Sequence, residues 1–342
     1  MFDRRMLLGL AAITAAMPGL AKAQKQADAK ATSGEGSPGA SVPSAALKPQ
    51  LPIQNIWPGA APGGEKVTAQ AATVLRGNGK DPNDTAFTHI HDPWMTMAKP
   101  AKPNGGAVLI APGGAYIRVA VSKSKDDMDT WLTDLGYHVF KLGYRLPGDG
   151  WAAGPDVALQ DVQRAVRVIR SRAQELGLDA NRVAVMGFSA GGHVAGLSAT
   201  RFADAAYTPV DDIDKLSARP VAVLMGYPVV TATLPYAHVG SINELIGKTP
   251  TDEQRQHASI ELHVPADAPP TFCCATTDDP VVPPRNAILM YLALKDKKIA
   301  SELHMYEGNT HGFPLHNRDG QLNPWAVEGL TFLERHGLAA KV

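Results

Sequence analysis

Short, almost wholly apolar runs recur along the chain, separated by stretches in which apolar positions return every three or four residues. Residues 107–111 (AVLIA) and 138–142 (HVFKL) predict buried strands, and 183–186, 221–225, 271–275 and 302–306 follow in the same style. The stretches between them predict helices over 125–135, 156–176, 190–200, 284–296 and 324–335. In the second of these, Ala158, Val162, Ala165, Val166, Ile169 and Ala173 form the buried stripe of a crossover helix. Such alternation predicts an α/β fold: a mostly parallel central sheet with helices on both faces. Residues 88–97 and the segment before them predict antiparallel strands at one edge. Residues 228–270 form the longest stretch without a strand pattern, and predict a small insertion or partial lid between two strands.

Ahead of this domain, expected over 53–342, the pattern changes twice. Arg4 and Arg5 precede an apolar run from Met6 to Met17 and the small-residue site Ala21-Lys22-Ala23, the layout of a secretory signal over 1–23. The run is shorter than the ~20 residues that span a bilayer, so no stable membrane insertion is expected once the signal is cleaved. The paired arginines point to the twin-arginine route, although Asp3 stands where that signal usually carries Ser or Thr. A periplasmic or secreted location follows. Residues 24–52 are Ala, Ser, Gly, Pro, Lys and Gln without an aromatic, and read as a flexible tether that cannot offset its own ordering entropy.

Composition narrows the function classes. The 342 residues carry 33 Lys+Arg against 33 Asp+Glu, and no stretch concentrates basic residues, which excludes a nucleic-acid partner on electrostatic grounds. Cleavage of the signal removes three cations and one anion, so the mature chain is slightly acidic. The 2 cysteines, Cys273 and Cys274, are adjacent, a spacing that suits neither an ordinary disulfide nor a zinc site, and read as reduced packing. His89 and His91 lie on one strand face without a third ligand in the pattern, so no metal is expected.

Chemistry enters at Gly187-Phe188-Ser189-Ala190-Gly191, a G-x-S-x-G between a predicted strand and a predicted helix. Glycines permit the sharp turn, and the strained backbone lifts the Ser189 hydroxyl above the sheet at a helix N-terminus. No G-x-G-x-x-G or G-K-[ST] pattern supports a phosphate-binding alternative. A serine nucleophile needs a base and an orienting acid, here in the order Ser, Asp, His. Asp278 and Asp279 follow the predicted strand 271–275, and His311 follows 302–306, both at C-terminal strand ends. Counting back from Pro283 and forward from Ala275 favours Asp279, with Asp278 as the alternative acid. An oxyanion hole would take the amide of Ala190 and one from the loop after 107–111, Pro112-Gly113-Gly114-Ala115-Tyr116; between Gly114 and Ala115 the choice stays open. Tyr116, Trp151, Tyr227 and Phe313 are candidates to wall the pocket, Trp151 by stacking on a sugar ring, although core packing is the commoner fate of such residues. Arg145 is expected to pair with a carboxylate, and His193 to pack at the start of the elbow helix.

The pieces APGGAY, GYRL, VMGFSAGGHVAGL, ELIGKTP, PPTF, DDPVVPPRNA and YEGNTHGF together resemble the α/β-hydrolase superfamily. Within it they are similar to acetyl-xylan-esterase-like carboxylesterases, related to the prolyl-oligopeptidase and dienelactone-hydrolase branches. The resemblance runs from Ile56 to the last helix. It implies hydrolysis of small acyl esters, typically acetyl groups on xylan or xylo-oligosaccharides, with no cofactor and a small-molecule or oligosaccharide ester as partner. A peptidase of the prolyl-oligopeptidase branch would need a large cap for which the roughly 290 residues after the tether leave no room. A catalytically silent carbohydrate-binding fold would show a broken triad.

Overall fold

Every parallel strand of the main sheet delivers its C-terminal loop to the same edge, and that register places the chemistry. The computed structural model describes residues 41–42, 53–76, 84–122 and 128–339. The expected leader (1–23) lies outside the described residues, as does the expected tether (24–52) apart from Ser41–Val42. The strands are β1 (Ser41–Val42), β2 (Ile53–Asn55), β3 (Ala72–Leu75), β4 (Thr85–Thr88), β5 (Trp94–Ala98), β6 (Ala107–Ala111), β7 (Val119–Ser122), β8 (His138–Gly143), β9 (Val183–Phe188), β10 (Val223–Gly226), β11 (Thr271–Thr276) and β12 (Ser301–Tyr306). Eight form one sheet in the order β12-β11-β10-β9-β6-β8-β5-β2. The pairs from β12 to β8 are parallel, and β5 and β2 complete an antiparallel edge. This is the α/β-hydrolase arrangement expected from the alternating pattern. A second, four-stranded sheet, β1-β3-β4-β7, is antiparallel; β4 lies in the segment before residue 88 that predicts an antiparallel strand, but it pairs in this separate sheet, which strands too short to show a period of their own do not reveal.

The helices are α1 (Met128–Asp134), α2 (Val157–Ser171), α3 (Ala173–Leu176), α4 (Ala190–Thr200), α5 (Val239–Ile246), α6 (Asp252–Ala258), α7 (Arg285–Asp296) and α8 (Pro324–Leu333). The single crossover helix expected over 156–176 is broken at Arg172, whose φ of −95° and ψ of 7° leave the helical well. The insertion 228–270 contains α5, α6 and a short 3-10 turn at Ile260–His263.

Side chains alternate across the sheet into two cores. Leu109, Val185, Met225 and Cys273 face one layer, and Val108, Ile110, Met186, Leu224, Phe272 and Cys274 face the other. The adjacent cysteines therefore point to opposite faces, both free and buried. Burial pushes the Cys273 thiol up to about 12 and the Cys274 thiol higher still, which keeps both as protonated packing groups.

The polar side of α2 is buried too, which the period alone does not reveal. Asp161, on that helix, and Arg145, just after β8, are both fully buried. The Arg145 guanidinium donates from Nη2 to Asp161 Oδ1 at 2.8 Å and from Nε to Oδ2 at 3.0 Å. Trp57 Nε1–H donates to the same carboxylate at 2.9 Å. Arg164 reaches the other way, to Asp211 at 2.6 Å and Asp214 at 2.9 Å. Each charge is matched by a hydrogen-bonded partner, the condition under which buried ions are tolerated.

Candidate active site

Between β9 and α4 the backbone turns through Ser189 at φ 56° and ψ −124°, a region that costs on the order of 1–3 kcal/mol for a residue with a Cβ. Hydrogen bonds hold it there. Ser189 N–H donates to the Gly226 carbonyl at 3.0 Å, and the Ser189 carbonyl accepts from Gly192 at 2.9 Å and Val229 at 3.0 Å. The flanking glycines are steric necessities. A Cβ on Gly187 would strike the Gly191 carbonyl oxygen, and one on Gly191 would strike that of Ala111.

The register carries the partners to the same place: Ala111 lies opposite Gly187, Gly226 opposite Phe188 and Cys274, and Thr276 opposite Tyr306. His311 Nε2 stands 2.8 Å from Ser189 Oγ, and His311 Nδ1 stands 2.8 Å from Asp279 Oδ2. The other oxygen of Asp279 accepts the amides of Val281 at 2.8 Å and Val282 at 3.0 Å, which fixes the carboxylate against the imidazole. Thr276 Oγ1 donates to the Thr310 carbonyl at 2.7 Å and ties the histidine loop to β11. Asp278 points outward. Its amide donates to the Gly308 carbonyl at 2.8 Å and its carboxylate meets Thr277 Oγ1 at 3.2 Å, so it braces the loop.

The glycine loop after β6 lies directly against this turn. A Cβ on Gly113 would come within 2.8 Å of the Phe188 carbonyl oxygen and 3.1 Å of Ser189 Cβ. Gly114, Ala115 and Tyr116 follow with φ of 141°, 55° and 61°, which bends the loop around the serine. Tyr144 Oη donates to the Pro112 carbonyl at 2.8 Å from below.

The aromatic candidates divide. Tyr227 flanks the imidazole, its ring meeting His311 edge-on at 5.0 Å, and Phe313 packs in turn on Tyr227 at 5.3 Å. Trp151 does not wall a cleft and takes the core-packing place rather than the sugar-stacking one. It is 5% exposed, its ring lies 4.7 Å from the Arg145 guanidinium, and Gly64 packs on its other atoms. Tyr116 is likewise buried at 1% exposure, with its hydroxyl committed to His193 Nδ1 at 2.7 Å. Both bury their large apolar area where sequence position alone suggested a rim. A cavity of about 840 Å³ opens between Pro147-Gly148, α5 and α6, and none of Ser189, Asp279 or His311 lines it.

His193 does more than pack. Its Nε2–H donates to the Ala258 carbonyl at 2.9 Å while Nδ1 accepts from Tyr116, so one ring on the elbow helix clips the glycine loop to the insertion. Burial lowers its pKa to about 4. The unfolded chain takes up a proton below about pH 6.5 that the folded chain refuses until about pH 4, so acidification through this window costs stability. Urea unfolding at pH 7 and pH 5 should show a larger loss for the wild type than for His193→Gln. Equal losses would remove His193 from the account.

The sequence profile of the BD-FAE family matches residues 95–294, more than half of the chain. The chain belongs to the BD-FAE family of α/β-hydrolase esterases. It is 34% identical over 210 residues, 61% of its own length, to endo-1,4-beta-xylanase B from Butyrivibrio fibrisolvens. It is 27% identical over 227 residues, 64% of its length, to an acetylxylan esterase from Xylanibacter ruminicola. The matches span only 33% and 43% of those two proteins. Among solved structures, an acetyl ester-xyloside bifunctional hydrolase from Caldicellulosiruptor lactoaceticus superposes with a TM-score of 0.67 and 27% identity, covering 86% of this chain and 100% of that one. In this BD-FAE chain, PGGAY in the glycine loop and Cys273-Cys274 on β11 leave the three hydrogen-bonded side chains untouched. Among the described residues no group of three or more His, Cys, Asp and Glu side chains is placed to hold a metal ion, and no helix is long and apolar enough to cross a membrane.

Proposed function

We propose that this chain is an exported serine esterase that removes short acyl groups, acetyl foremost, from xylan or xylo-oligosaccharides. The observation that carries the reading is the continuous hydrogen-bonded series Ser189 Oγ, His311, Asp279, standing on a strained turn against a glycine loop. Relatives named an acetylxylan esterase and an acetyl ester-xyloside bifunctional hydrolase support the substrate class. The N-terminal pattern supports export, and intact-mass analysis of the mature protein tests it: a chain beginning near Gln24 is expected, and one retaining Met1 counts against it.

In this reading His311 Nε2 accepts the Ser189 proton as Oγ bonds to the ester carbonyl carbon. The carbonyl oxygen becomes an oxyanion, held by the Ala190 amide and by Gly114 or Ala115. Asp279 keeps the His311 proton on Nδ1 and stabilises the imidazolium. The intermediate collapses, the C–O bond breaks, and His311 returns its proton to the departing sugar alcohol. Water, deprotonated by the same histidine, then cleaves the acyl-enzyme to release the carboxylic acid and restore Ser189.

Acetate release across acetylated xylan, xylose tetraacetate and p-nitrophenyl esters of increasing length tests the substrate class. Preference for acetyl is expected, and preference for octanoate or longer would overturn it. The acid is tested separately. Asp279→Asn leaves the fold intact but offers an amide to His311, and should lower kcat roughly 10³-fold or more. Asp278→Asn should stay within a few-fold, and the reverse order would reassign the acid.

A further inference from the structure

The sequence motif ELIGKTP takes no part in the hydrogen-bonded series at Ser189. Its residues Glu244 to Lys248 instead line the cavity of about 840 Å³ between α5, α6 and the loop after β8. That volume falls within the ~300–1,000 Å³ usual for ligand pockets. One wall is the 3-10 turn Pro147–Asp149, which follows β8, and the other is the insertion, which follows β10. In the sheet order these two strands stand on either side of β6, which leads to the glycine loop, and β9, which leads to Ser189. Both walls therefore start from the sheet edge that carries the nucleophile.

Part of the lining is committed to holding the walls still. His257 Nε2, on α6, stands 2.9 Å from Asp156 Oδ1, and Arg201 at the end of α4 donates to both oxygens of that carboxylate, at 2.6 and 3.1 Å. A capping box fixes the start of α6: Thr251 Oγ1 accepts the Gln254 amide at 3.3 Å, and Gln254 Oε1 accepts the Thr251 amide at 2.8 Å. Three other lining groups are left over. Asn243 and Glu244 are half-buried on α5, and Lys248 is exposed just beyond its end. Among the described residues none of these three side chains has a hydrogen-bond or ion-pair partner. Glu244 reaches to the opposite wall, where a Cβ on Gly148 would stand 3.2 Å from its Oε2.

An amide, a carboxylate and an ammonium thus line the cavity together with Pro147, Pro155 and Ile246. A simple anion or cation would answer one of the two charges and oppose the other. An uncharged, hydroxyl-rich chain suits the whole set, because each hydroxyl both donates and accepts while the C–H faces of its rings cover the apolar side chains. We propose that this cavity is a glycan-binding site, which holds unesterified sugar residues of the xylan chain through Asn243, Glu244 and Lys248. The proposal rests on the esterase reading for the identity of the chain and goes beyond it. Sugar residues away from the scissile ester are bound by the insertion, and that binding lowers KM for long substrates.

Calorimetry with unacetylated xylotetraose on the Ser189→Ala protein separates this binding from turnover. Two changes test it in opposite ways. Asn243→Ala/Glu244→Ala removes polar groups, and Gly148→Phe fills the cavity, its Cβ meeting only Glu244. Each, added to Ser189→Ala, should weaken xylotetraose binding about 10-fold or more. With Ser189 present, each should lower the ratio of kcat/KM for acetylated xylotetraose to that for p-nitrophenyl acetate by a similar factor, chiefly through KM, with the Tm nearly retained. An affinity and a ratio that stay within about 2-fold in both variants would overturn the site while leaving the esterase reading standing. So would a lack of xylotetraose binding in a protein that cleaves acetylated xylotetraose. A wild type that cleaves p-nitrophenyl acetate yet neither turns over acetylated xylotetraose nor binds xylotetraose overturns both the sugar substrate and this site. A wild type inactive on both esters, with Ser189 intact, overturns the esterase reading itself, whereas xylotetraose bound there and lost with Gly148→Phe upholds the site.

Discussion

Ser189→Ala should lower kcat/KM for p-nitrophenyl acetate and for acetylated xylobiose by at least ~10⁴-fold, with the Tm essentially retained. The size follows from the geometry. In the proposed mechanism Ser189 Oγ is the atom of the series that bonds to carbon, and His311 and Asp279 would act through it. The substituted residue would keep the backbone bonds to Gly226, Gly192 and Val229, so the turn should persist and the loss should be chemical. His311→Ala should cost a comparable factor, and the double variant little more than either, because residues acting as one unit are not additive. A fluorophosphonate probe should label the wild type at Ser189 and leave the variant unlabelled. Full activity in Ser189→Ala would refute the mechanism.

Asp161→Ala should destabilise the fold by about 3–5 kcal/mol, the usual consequence of stripping one partner from a buried ion pair. Arg145 would be left fully buried with its main anion removed, and the Trp57 indole would lose its acceptor. The Arg145 amide, which donates to Asp161 Oδ2 at 2.8 Å, would be orphaned as well. Chemical denaturation at pH 7 measures the effect directly. Arg145→Met/Asp161→Leu should recover much of the loss, since paired replacement removes both charges together. A single-variant loss below about 1 kcal/mol would mean that the pair is solvated in the folded state.

Much of the frame was legible in the sequence because burial writes itself into pattern. Strands buried on both faces read as continuous apolar runs, and β6 and α4 have the expected bounds to the residue. The sequence placed Ser189 through a glycine pattern that only a tight strand–helix turn requires, and it placed His311 and the aspartates through loop position. What it left open were side chains whose direction depends on neighbours far along the chain. For Trp151 a sugar-stacking place and a core-packing place both stood, and Arg145 and Gly64 draw it inward. That β4 joins β1, β3 and β7 in a sheet of its own was not legible, because two-to-four-residue strands carry no period.

By itself, then, the sequence determined the order of elements, the elbow, and two loops bearing an acid and a base, since these depend on local sterics and on period. Only the tertiary structure decided which aspartate turns inward. Asp279 accepts two amides of its own loop and the imidazole, while Asp278, one residue earlier, faces outward. It also decided that Arg145 answers Asp161 and that His193 joins the glycine loop to the insertion. Likewise, Asn286 ties the segment after β10 to the loop that carries Asp279. These are pairings between residues distant in the chain, set by strand register and shared burial. Register is a property of the assembled sheet, which no local window of sequence contains.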